Sequence, residues 1–437
     1  METPYFLSRK SKLEARKPEI GNRIAGIEIR NSKLGVRRCS GHRRFSTFDL
    51  RVGSLAGPLL FLFMGIVAWG AAPRARHSEP SSSANAAAQA ALARARVRVM
   101  TASPLAMFYY SDDSLGHASL EAHADAITVL APKCYELDRG GALRGQLPGK
   151  VRGAASRAGL PLMPLVSNPG FDRQTAHALL HSAYAQQRAA SSLAEVAEKN
   201  GYVGWQLDFE GIDPADKLAY TRFVARVAGR MHHQHRLLSV ALVPRFSDRY
   251  PDRPGARFYT GEWGAAYDYR GLGRIADFVV LMAYDQHTIL TPPGPVAGYD
   301  WAKAALDYAV ARVPRSKLLL GLPLYGREWA ETSGGVTSHS LAYKDLKPYL
   351  EDPASVQHWD DLLRTTWFEL RDGNSLRTAW FDDARSLREK LRLVQIYALR
   401  GFAAWRLGVE DPDFWLVRSP QSGEQGTGID QERLSTP

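Results

Sequence analysis

The feature that most limits the fold is an alternation of short, apolar, β-rich runs with stretches of helical spacing along residues 99–418. Eight runs have the length and composition of strands. They are residues 105–110, 127–137, 162–167, 203–210, 237–243, 278–285, 318–325 and 401–407. The helical stretches include residues 172–199, 215–232, 301–313 and 382–399. A strand followed by a helix, repeated eight times, predicts an α/β fold, a (β/α)8 TIM barrel with a parallel central sheet.

One long interval, at about 327–380, interrupts this alternation between the seventh strand and its helix. The interval is rich in Trp, Tyr and charged residues. We expect a small α+β insertion there, which walls one side of a cleft.

The positive charge of the chain is concentrated before the barrel. Residues 1–52 contain thirteen Lys or Arg against five Asp or Glu, a net charge of +8 out of +11 for the whole chain. The rest of the chain carries too little excess charge for a strong phosphate-binding surface. We therefore predict a basic, disordered, cytoplasmic arm and no nucleic-acid partner.

The basic arm is followed by residues 53–73, a run of 21 uncharged residues with an apolar centre. About 20 apolar residues can span a bilayer as a helix, so this run predicts a transmembrane segment. A cleavable signal sequence is the alternative. A transmembrane segment would anchor the chain in the inner membrane with the barrel outside, whereas a cleaved signal sequence would lead to secretion. Residues 74–98 are predicted to be a flexible linker, and residues 419–437 a disordered tail.

The fourth strand carries two carboxylates on one face. Side chains alternate along a strand, so Gln206, Asp208 and Glu210 share a face, and Val203 belongs to the opposite one. Neighbouring like charges disfavour joint ionisation, which can keep one carboxyl protonated as a general acid. The alternative is an edge strand with a solvated polar face.

Polar and aromatic residues also end the later strands, where the active site of such a barrel lies. Asp285 ends strand six, Tyr325 ends strand seven, and Trp405 lies near the end of strand eight. The alternation also places Met282 and Tyr284 together on the inner face of strand six. A solvated edge strand does not explain this concentration. Two carboxyls, a Tyr hydroxyl and a Trp plane suit a sugar ring and its glycosidic oxygen.

Four segments in order resemble the motifs of glycoside hydrolase family 18, over about residues 103–416. The family's strand-four signature is usually written DGxDxDxE, and residues 204–210 (GWQLDFE) are similar to it. Residues 281–285 (LMAYD), 321–327 (GLPLYGR) and 401–408 (GFAAWRLG) resemble its motifs on strands six, seven and eight. The position of the insertion also matches the family.

The resemblance implies a retaining hydrolysis of β-linked N-acetylhexosamine in which the substrate's own 2-acetamido oxygen attacks the anomeric carbon. Glu210 would then protonate the leaving oxygen, and Asp208 would hold the acetamido N–H. Tyr284 would donate to the acetamido carbonyl, and Trp405 would form the floor of the −1 subsite. The remaining expected substrate contacts are Asp285, Gln206, Tyr325, Met282 and Asn168.

Two positions depart from the family signature: Val203 and Gln206 stand where it has its first two aspartates. We expect Val203 to alter only packing. Gln206 cannot share a proton with Asp208, so Asp208 is expected to stay ionised, stabilised by the amide N–H. An amide there resembles the branch with spore-cortex and peptidoglycan N-acetylglucosaminidases, which favours an envelope glycan. The alternative function is that of a catalytically weak or inactive, glycan-binding relative.

No metal or cofactor is predicted. His232, His233 and His235 cluster near the end of a helix, but no carboxylate or cysteine stands at a recognisable ligand spacing. A solvated helix end explains them. No obligatory protein partner is evident either, so the expected partners are an N-acetylglucosamine-containing polysaccharide and a membrane.

Overall fold

The computed structural model describes residues 82–248, 263–373 and 375–417, all within one unit of residues 77–437. The basic arm 1–52, the apolar run 53–73 and the tail 419–437 lie outside these residues. Within the described ranges, no helix has both the length and the apolar character needed to cross a membrane.

The strands, in chain order, are β1 (Leu105–Tyr110), β2 (Val129–Leu137), β3 (Leu143–Gly145), β4 (Leu165–Ser167), β5 (Gly204–Asp208), β6 (Leu237–Leu242), β7 (Phe278–Leu281), β8 (Leu318–Pro323), β9 (Gly326–Thr332), β10 (Gly335–Leu341), β11 (Ser355–Asp360), β12 (Thr365–Asp372), β13 (Ser375–Phe381) and β14 (Gly401–Trp405). The helices are α1 (Ser82–Thr101), α2 (Ser114–His123), α3 (Gly149–Arg157), α4 (Arg173–Leu180), α5 (Ala183–Asn200), α6 (Lys217–His233), α7 (Tyr269–Ile275), α8 (Tyr299–Val310), α9 (Tyr343–Leu350), α10 (Ala384–Ile396) and α11 (Phe414–Val417).

Eight of these strands form a closed parallel barrel. Their order is β1-β2-β4-β5-β6-β7-β8-β14, and the barrel closes because β1 pairs in parallel with both β2 and β14. The short β3 pairs antiparallel with β2 outside the ring. The predicted (β/α)8 barrel is confirmed, and each of its strands overlaps one of the eight predicted runs.

The barrel has separate inner and outer cores because side chains alternate along each strand. On β1, Leu105 and Met107 join the cluster that fills the barrel interior, whereas Ala106 and Phe108 join the core between strands and helices. Burial on both faces explains why the strands are continuous apolar runs in the sequence.

The N-terminal end of the barrel, its lower end, is closed by α1. Val99 of this helix is fully buried in the interior cluster, and Leu92 packs against the same cluster. The Arg400 guanidinium caps the helix by donating to the Val99 carbonyl at 2.8 Å. The predicted flexible linker over residues 74–98 is therefore wrong for residues 82–98. Their high alanine content, taken as low complexity, gives a strong helix propensity instead.

The predicted helix over residues 172–199 is two helices. It breaks at His181 and Ser182 because the Ser182 hydroxyl accepts a hydrogen bond from the Ala185 N–H at 3.1 Å, which caps a new helix. Two helices, α4 and then α5, therefore connect β4 to β5.

The interval after the seventh barrel strand contains β9 to β13 and α9. The five strands form an antiparallel sheet in the order β10-β9-β13-β12-β11. This sheet and α9 have a small core of their own, which consists of Leu341, Leu346, Phe368, Leu370, Ala379 and Phe381. The insertion therefore packs as a subdomain beside the C-terminal, or upper, end of the barrel.

Candidate active site

The two predicted carboxylates lie at the upper end of β5. Asp208 is only 6% exposed, and Glu210 follows it just beyond the strand. The Asn168 side chain holds the Glu210 backbone, because its Oδ1 accepts from the Glu210 N–H at 3.0 Å and its Nδ2 donates to the Glu210 carbonyl at 2.9 Å. Asn168 is 1% exposed. It is thus placed to hold the acid, and its predicted contact with substrate stays a prediction.

Burial and mutual repulsion set the charge of the pair. Burial raises the pKa of Glu210, and the negative charge of Asp208 raises it further. The Trp263 indole N–H donates to Glu210 Oε2 at 2.9 Å and favours the ionised form, but the pKa stays well above that of an ordinary glutamate. Burial also raises the pKa of Asp208, against the lowering effect of Lys133. The site thus favours one proton on the pair, and it favours Glu210 as the proton's position.

Gln206 does not act as the sequence predicts. Its Nε2 donates to the Tyr109 hydroxyl at 3.1 Å, and its Oε1 is buried without a hydrogen-bond partner among the described residues. Because this amide donates to Tyr109, the predicted stabilisation of an ionised Asp208 by the amide N–H is wrong. The prediction considered only neighbours on one strand, whereas Tyr109 comes from β1.

Val203 was predicted to face away from the barrel centre, and this is also wrong. It packs in the interior cluster with Leu237 and Phe278 at the lower end. Val203 precedes the first residue of β5, so the strand's alternation does not determine its direction. The expectation that Val203 affects packing alone fits this position.

Aromatic side chains line the barrel mouth around the carboxylates. Tyr284 approaches Gly321 of β8 so closely that a Cβ at Gly321 would lie 2.9 Å from Tyr284 Cε1. The Trp405 ring lies 5.2 Å from that of Tyr109, measured between centroids. The charges of Asp208 and Glu210 both raise the pKa of Tyr284, although burial raises it most. Tyr284 is therefore protonated at neutral pH and can donate a hydrogen bond.

A cavity of about 430 Å³ opens between the barrel mouth and the insertion. Asp285, Tyr325 and Trp405 line it together with residues of β10 and α9. The Tyr325 hydroxyl donates to Asp285 Oδ1 at 2.5 Å, and Arg327 Nη2 donates to the same oxygen at 2.8 Å. Three predicted site residues thus share one wall of a cleft with the insertion.

Met282 is not among the residues that line this cavity. It is buried in the core between strands and helices, and it lies just beyond the end of β7. The lining of this cavity also lacks Asp208, Glu210 and Tyr284, so the predicted substrate contact of Met282 stays a prediction.

Three site residues were missed by the sequence analysis. Lys133 is exposed on β2, and its Nζ lies 5.6 Å from the centre of the Trp405 ring. It follows Val129 and Ala131 on the inward face, so the alternation of β2 could have identified it. Arg327 is the last residue of the strand-seven motif, residues 321–327. Trp263 lies in the long segment after β6, where no periodic pattern marks its direction.

A second cavity of about 980 Å³ lies at the opposite end of the barrel, against α1. His233 and His235 line it, and no predicted site residue does. The neighbouring His232 pairs with a carboxylate, since its Nε2 lies 3.0 Å from Asp277 Oδ2. The three histidines were predicted to lie at a solvated helix end, and one of them, His232, instead makes a contact with another part of the barrel.

Known proteins share both the sequence pattern and the fold. The cortical fragment-lytic enzyme of Bacillus subtilis (strain 168) is 28% identical over 315 residues, which cover 71% of each chain. The crystal structure of a chitinase from Chromobacterium violaceum ATCC 12472 superimposes with a TM-score of 0.65 at 28% identity, covering 72% of this chain and 97% of the other. The spore cortex-lytic enzyme SleL of Bacillus megaterium QM B1551 gives a TM-score of 0.63 at 26% identity, covering 71% and 72%.

The family model for glycosyl hydrolases family 18 matches residues 154–410. The match runs from within α3, through the insertion, to just beyond β14, and so includes both carboxylates, Tyr284 and Trp405. This protein belongs to glycosyl hydrolases family 18 and is a glycosidase.

Proposed function

We propose that this glycosidase cleaves β-linked N-acetylglucosamine glycans with retention of anomeric configuration, and that the substrate's acetamido group is the nucleophile. The observation that supports this proposal best is the pair of carboxylates at the upper end of β5, buried Asp208 on the strand and Glu210 just beyond it. Burial raises the pKa of both, and the charge of Asp208 raises that of Glu210 further. A protonated Glu210 beside an ionised Asp208 is the arrangement that the reaction needs.

In the first step, the Glu210 proton passes to the glycosidic oxygen as the bond from that oxygen to C1 breaks. The acetamido carbonyl oxygen forms a bond to C1, which gives a cyclic oxazolinium ion and releases the aglycone sugar. In the second step, a water molecule attacks C1 from the face that the aglycone has left and transfers a proton to Glu210. The oxazolinium ring opens, and the product keeps the β configuration.

The neighbours of Glu210 have matching roles. Asp208 would accept the acetamido N–H and offset the positive charge that develops on the ring, an electrostatic contribution of about 3–4 kcal/mol in comparable sites. Tyr284 would donate to the acetamido oxygen and align it for attack. Trp405 would bury the apolar face of the sugar.

The substrate class that we favour is an envelope glycan of the peptidoglycan type. Lys133 places a cation at the rim of the cleft, 5.6 Å from the Trp405 ring that would carry the sugar. Peptidoglycan carries acidic substituents, whereas chitin is neutral. The similarity to cortex-lytic enzymes of Bacillus agrees with this choice, and the similarity to chitinases makes chitooligosaccharides the natural comparison.

We further propose that the barrel acts outside the cytoplasm. The support is the basic arm followed by the apolar run 53–73 in the sequence. Fractionation of cells, followed by alkaline extraction of the membranes, separates an anchored chain from a secreted one.

The full-length chain should be incubated with peptidoglycan and with chitooligosaccharides, and the products identified by mass spectrometry. Proton NMR of the fresh reducing ends gives the anomeric configuration. We expect N-acetylglucosamine-terminated fragments with β configuration. Glu210→Gln should abolish their release, whereas Glu195→Gln, an exposed glutamate on α5, should leave it unchanged. Sugar binding without products would favour a glycan-binding relative, and α products would contradict the retaining mechanism.

A further inference from the structure

A group of potential metal ligands lies outside the cleft, between α4 and the start of α6. It consists of His177, His181 and Asp216. His177 Nδ1 lies 2.8 Å from Asp216 Oδ2, and His181 Nε2 lies 2.7 Å from Asp216 Oδ1. One donor atom from each of the three residues can be chosen so that all lie within 4.8 Å of one another. The reaction proposed above uses none of these groups.

The carboxylate of this cluster is in an unusual setting. Asp216 is 2% exposed and occupies the N-cap position of α6, where an aspartate ordinarily accepts a hydrogen bond from the helix backbone. Its side chain makes no such bond. Both oxygens face the two imidazoles instead, and a capping bond worth about 1 kcal/mol is forgone.

We propose that His177, His181 and Asp216 form a binding site for a divalent transition metal of the zinc class. Two imidazole nitrogens and one carboxylate oxygen are a donor set that Zn²⁺, Ni²⁺ and Cu²⁺ prefer, and one that Mg²⁺ and Ca²⁺ do not. Zinc bonds of about 2.0–2.1 Å place tetrahedral ligands about 3.3 Å apart, so small side-chain rotations separate the hydrogen-bonded atoms enough to admit the ion.

The surroundings leave room for the rest of the coordination shell. The two imidazole side chains are 58% and 51% exposed, so water can supply the remaining ligand on the solvent side. The buried carboxylate supplies the anchored ligand on the protein side. His177 and His181 are also four residues apart, which puts both on one face of the chain at α4.

The position of the cluster gives the metal a structural role. The chain reaches α4 from Asn168 at the end of β4, and it reaches Asp216 from Glu210 beyond β5. A metal would therefore join the two segments that follow these strands. Asn168 already links the same two segments by its hydrogen bonds to the Glu210 backbone. We infer that the ion stabilises this side of the barrel and takes no part in bond cleavage.

The test uses the full-length chain, purified without a histidine tag, freed of metal by a chelator and titrated with Zn²⁺ against a chromophoric competitor. We expect one tight equivalent per chain. His177→Ala, His181→Ala and Asp216→Asn should each weaken it by about tenfold or more, since loss of an outer-shell partner alone costs 10- to 100-fold. His232→Ala is the matched control, because His232 also faces a carboxylate, that of Asp277, and should bind zinc as the wild type does.

Thermal unfolding is the second measurement. Zinc should raise the Tm of the wild-type chain and of His232→Ala, and it should leave the Tm of the three ligand variants unchanged. The exposed position of His177 and His181 makes their alanine variants safe for folding even if Asp216→Asn is not. Equal zinc binding by the wild type and the three variants, or no binding by the wild type, would overturn the proposal and leave a hydrogen-bonded contact only.

Discussion

The two ends of the barrel are formed by the same strands but differ in polarity and in function. Val203, just before β5, is fully buried in the interior cluster at the lower end. Five residues later, Asp208 is buried at the barrel mouth beside Glu210. The lower end is apolar and closed by α1, whereas the upper end is polar and open to a cavity beside the insertion. The lower end therefore stabilises the barrel, and the stability it adds offsets the cost of burying charge at the upper end.

The charges at the two ends differ as well. At the lower end, Asp277 accepts a hydrogen bond from the Leu238 N–H at 2.8 Å and pairs with His232. At the upper end, Asp208 and Glu210 are like charges whose repulsion helps to keep one protonated. A half-buried carboxylate with hydrogen-bond partners, such as Asp277, contributes to stability, whereas a buried carboxylate next to another acid, such as Asp208, is suited to catalysis.

Removing one carboxylate from each end should separate these roles most clearly. Asp208→Asn keeps the shape but removes the charge that stabilises the transition state, so kcat should fall about 10²- to 10³-fold with little change in stability. Asp277→Asn should keep kcat and lower the free energy of unfolding by about 1–3 kcal/mol. Steady-state kinetics and urea unfolding of both variants give the comparison. Loss of stability in Asp208→Asn, with kcat retained, would contradict it.

Gly321→Ala tests whether the position of Tyr284 at the upper end is critical for activity. The new Cβ would lie 2.9 Å from Tyr284 Cε1 and 2.5 Å from the Leu281 carbonyl oxygen, so Tyr284 must move. A displacement of about 1 Å in a positioning group costs on the order of 10²-fold, and we expect that loss in kcat/KM. Gly229→Ala on α6 is the control, because its Cβ would meet no atom within 4 Å. Unchanged kcat/KM in Gly321→Ala would show that the position of Tyr284 is not critical.

Val99→Ala perturbs only the lower end. Val99 is fully buried where α1 closes the interior cluster. The loss of two methyl groups and the cavity left behind should cost about 2 kcal/mol of unfolding free energy. Denaturant unfolding measures this loss, and kcat at a temperature where the variant is folded should equal that of the wild type. A fall in kcat would mean that the two ends are coupled.

The sequence predicts the barrel and the ends of its strands because alternation and strand–helix order are local patterns. Glu210, Asp208, Tyr325 and Trp405 were found in this way. Gln206 was misjudged because its partner, Tyr109, comes from another strand, and pairings across a barrel leave no local pattern. Trp263 was missed for a related reason: it reaches Glu210 from a long segment without periodicity. The helix α1 was misread because alanine-rich sequence suits both a linker and a helix, and only its contact with the barrel end distinguishes them.

The smallest effect we expect is a shift in the pH dependence of activity when the charge of Lys133, at the rim of the cleft, is removed. Activity needs Glu210 protonated, so kcat/KM should fall as the pH rises through its raised pKa. Activity also needs Asp208 ionised, so kcat/KM should fall as the pH drops through the raised pKa of that group. The two limbs belong to the interacting pair, and their midpoints are properties of the pair.

Lys133 lowers the pKa of both carboxyls, although burial dominates each. Lys133→Met should therefore move both limbs to higher pH, by less than about one unit because the ammonium is exposed. High salt should screen the same charge and move the wild-type profile towards that of the variant. Lys150→Met, which removes an exposed lysine paired with Asp112, should leave the profile in place. A shift to lower pH in Lys133→Met would mean that this lysine acts on the pair through a change in structure, because loss of its positive charge can only raise the two pKa values.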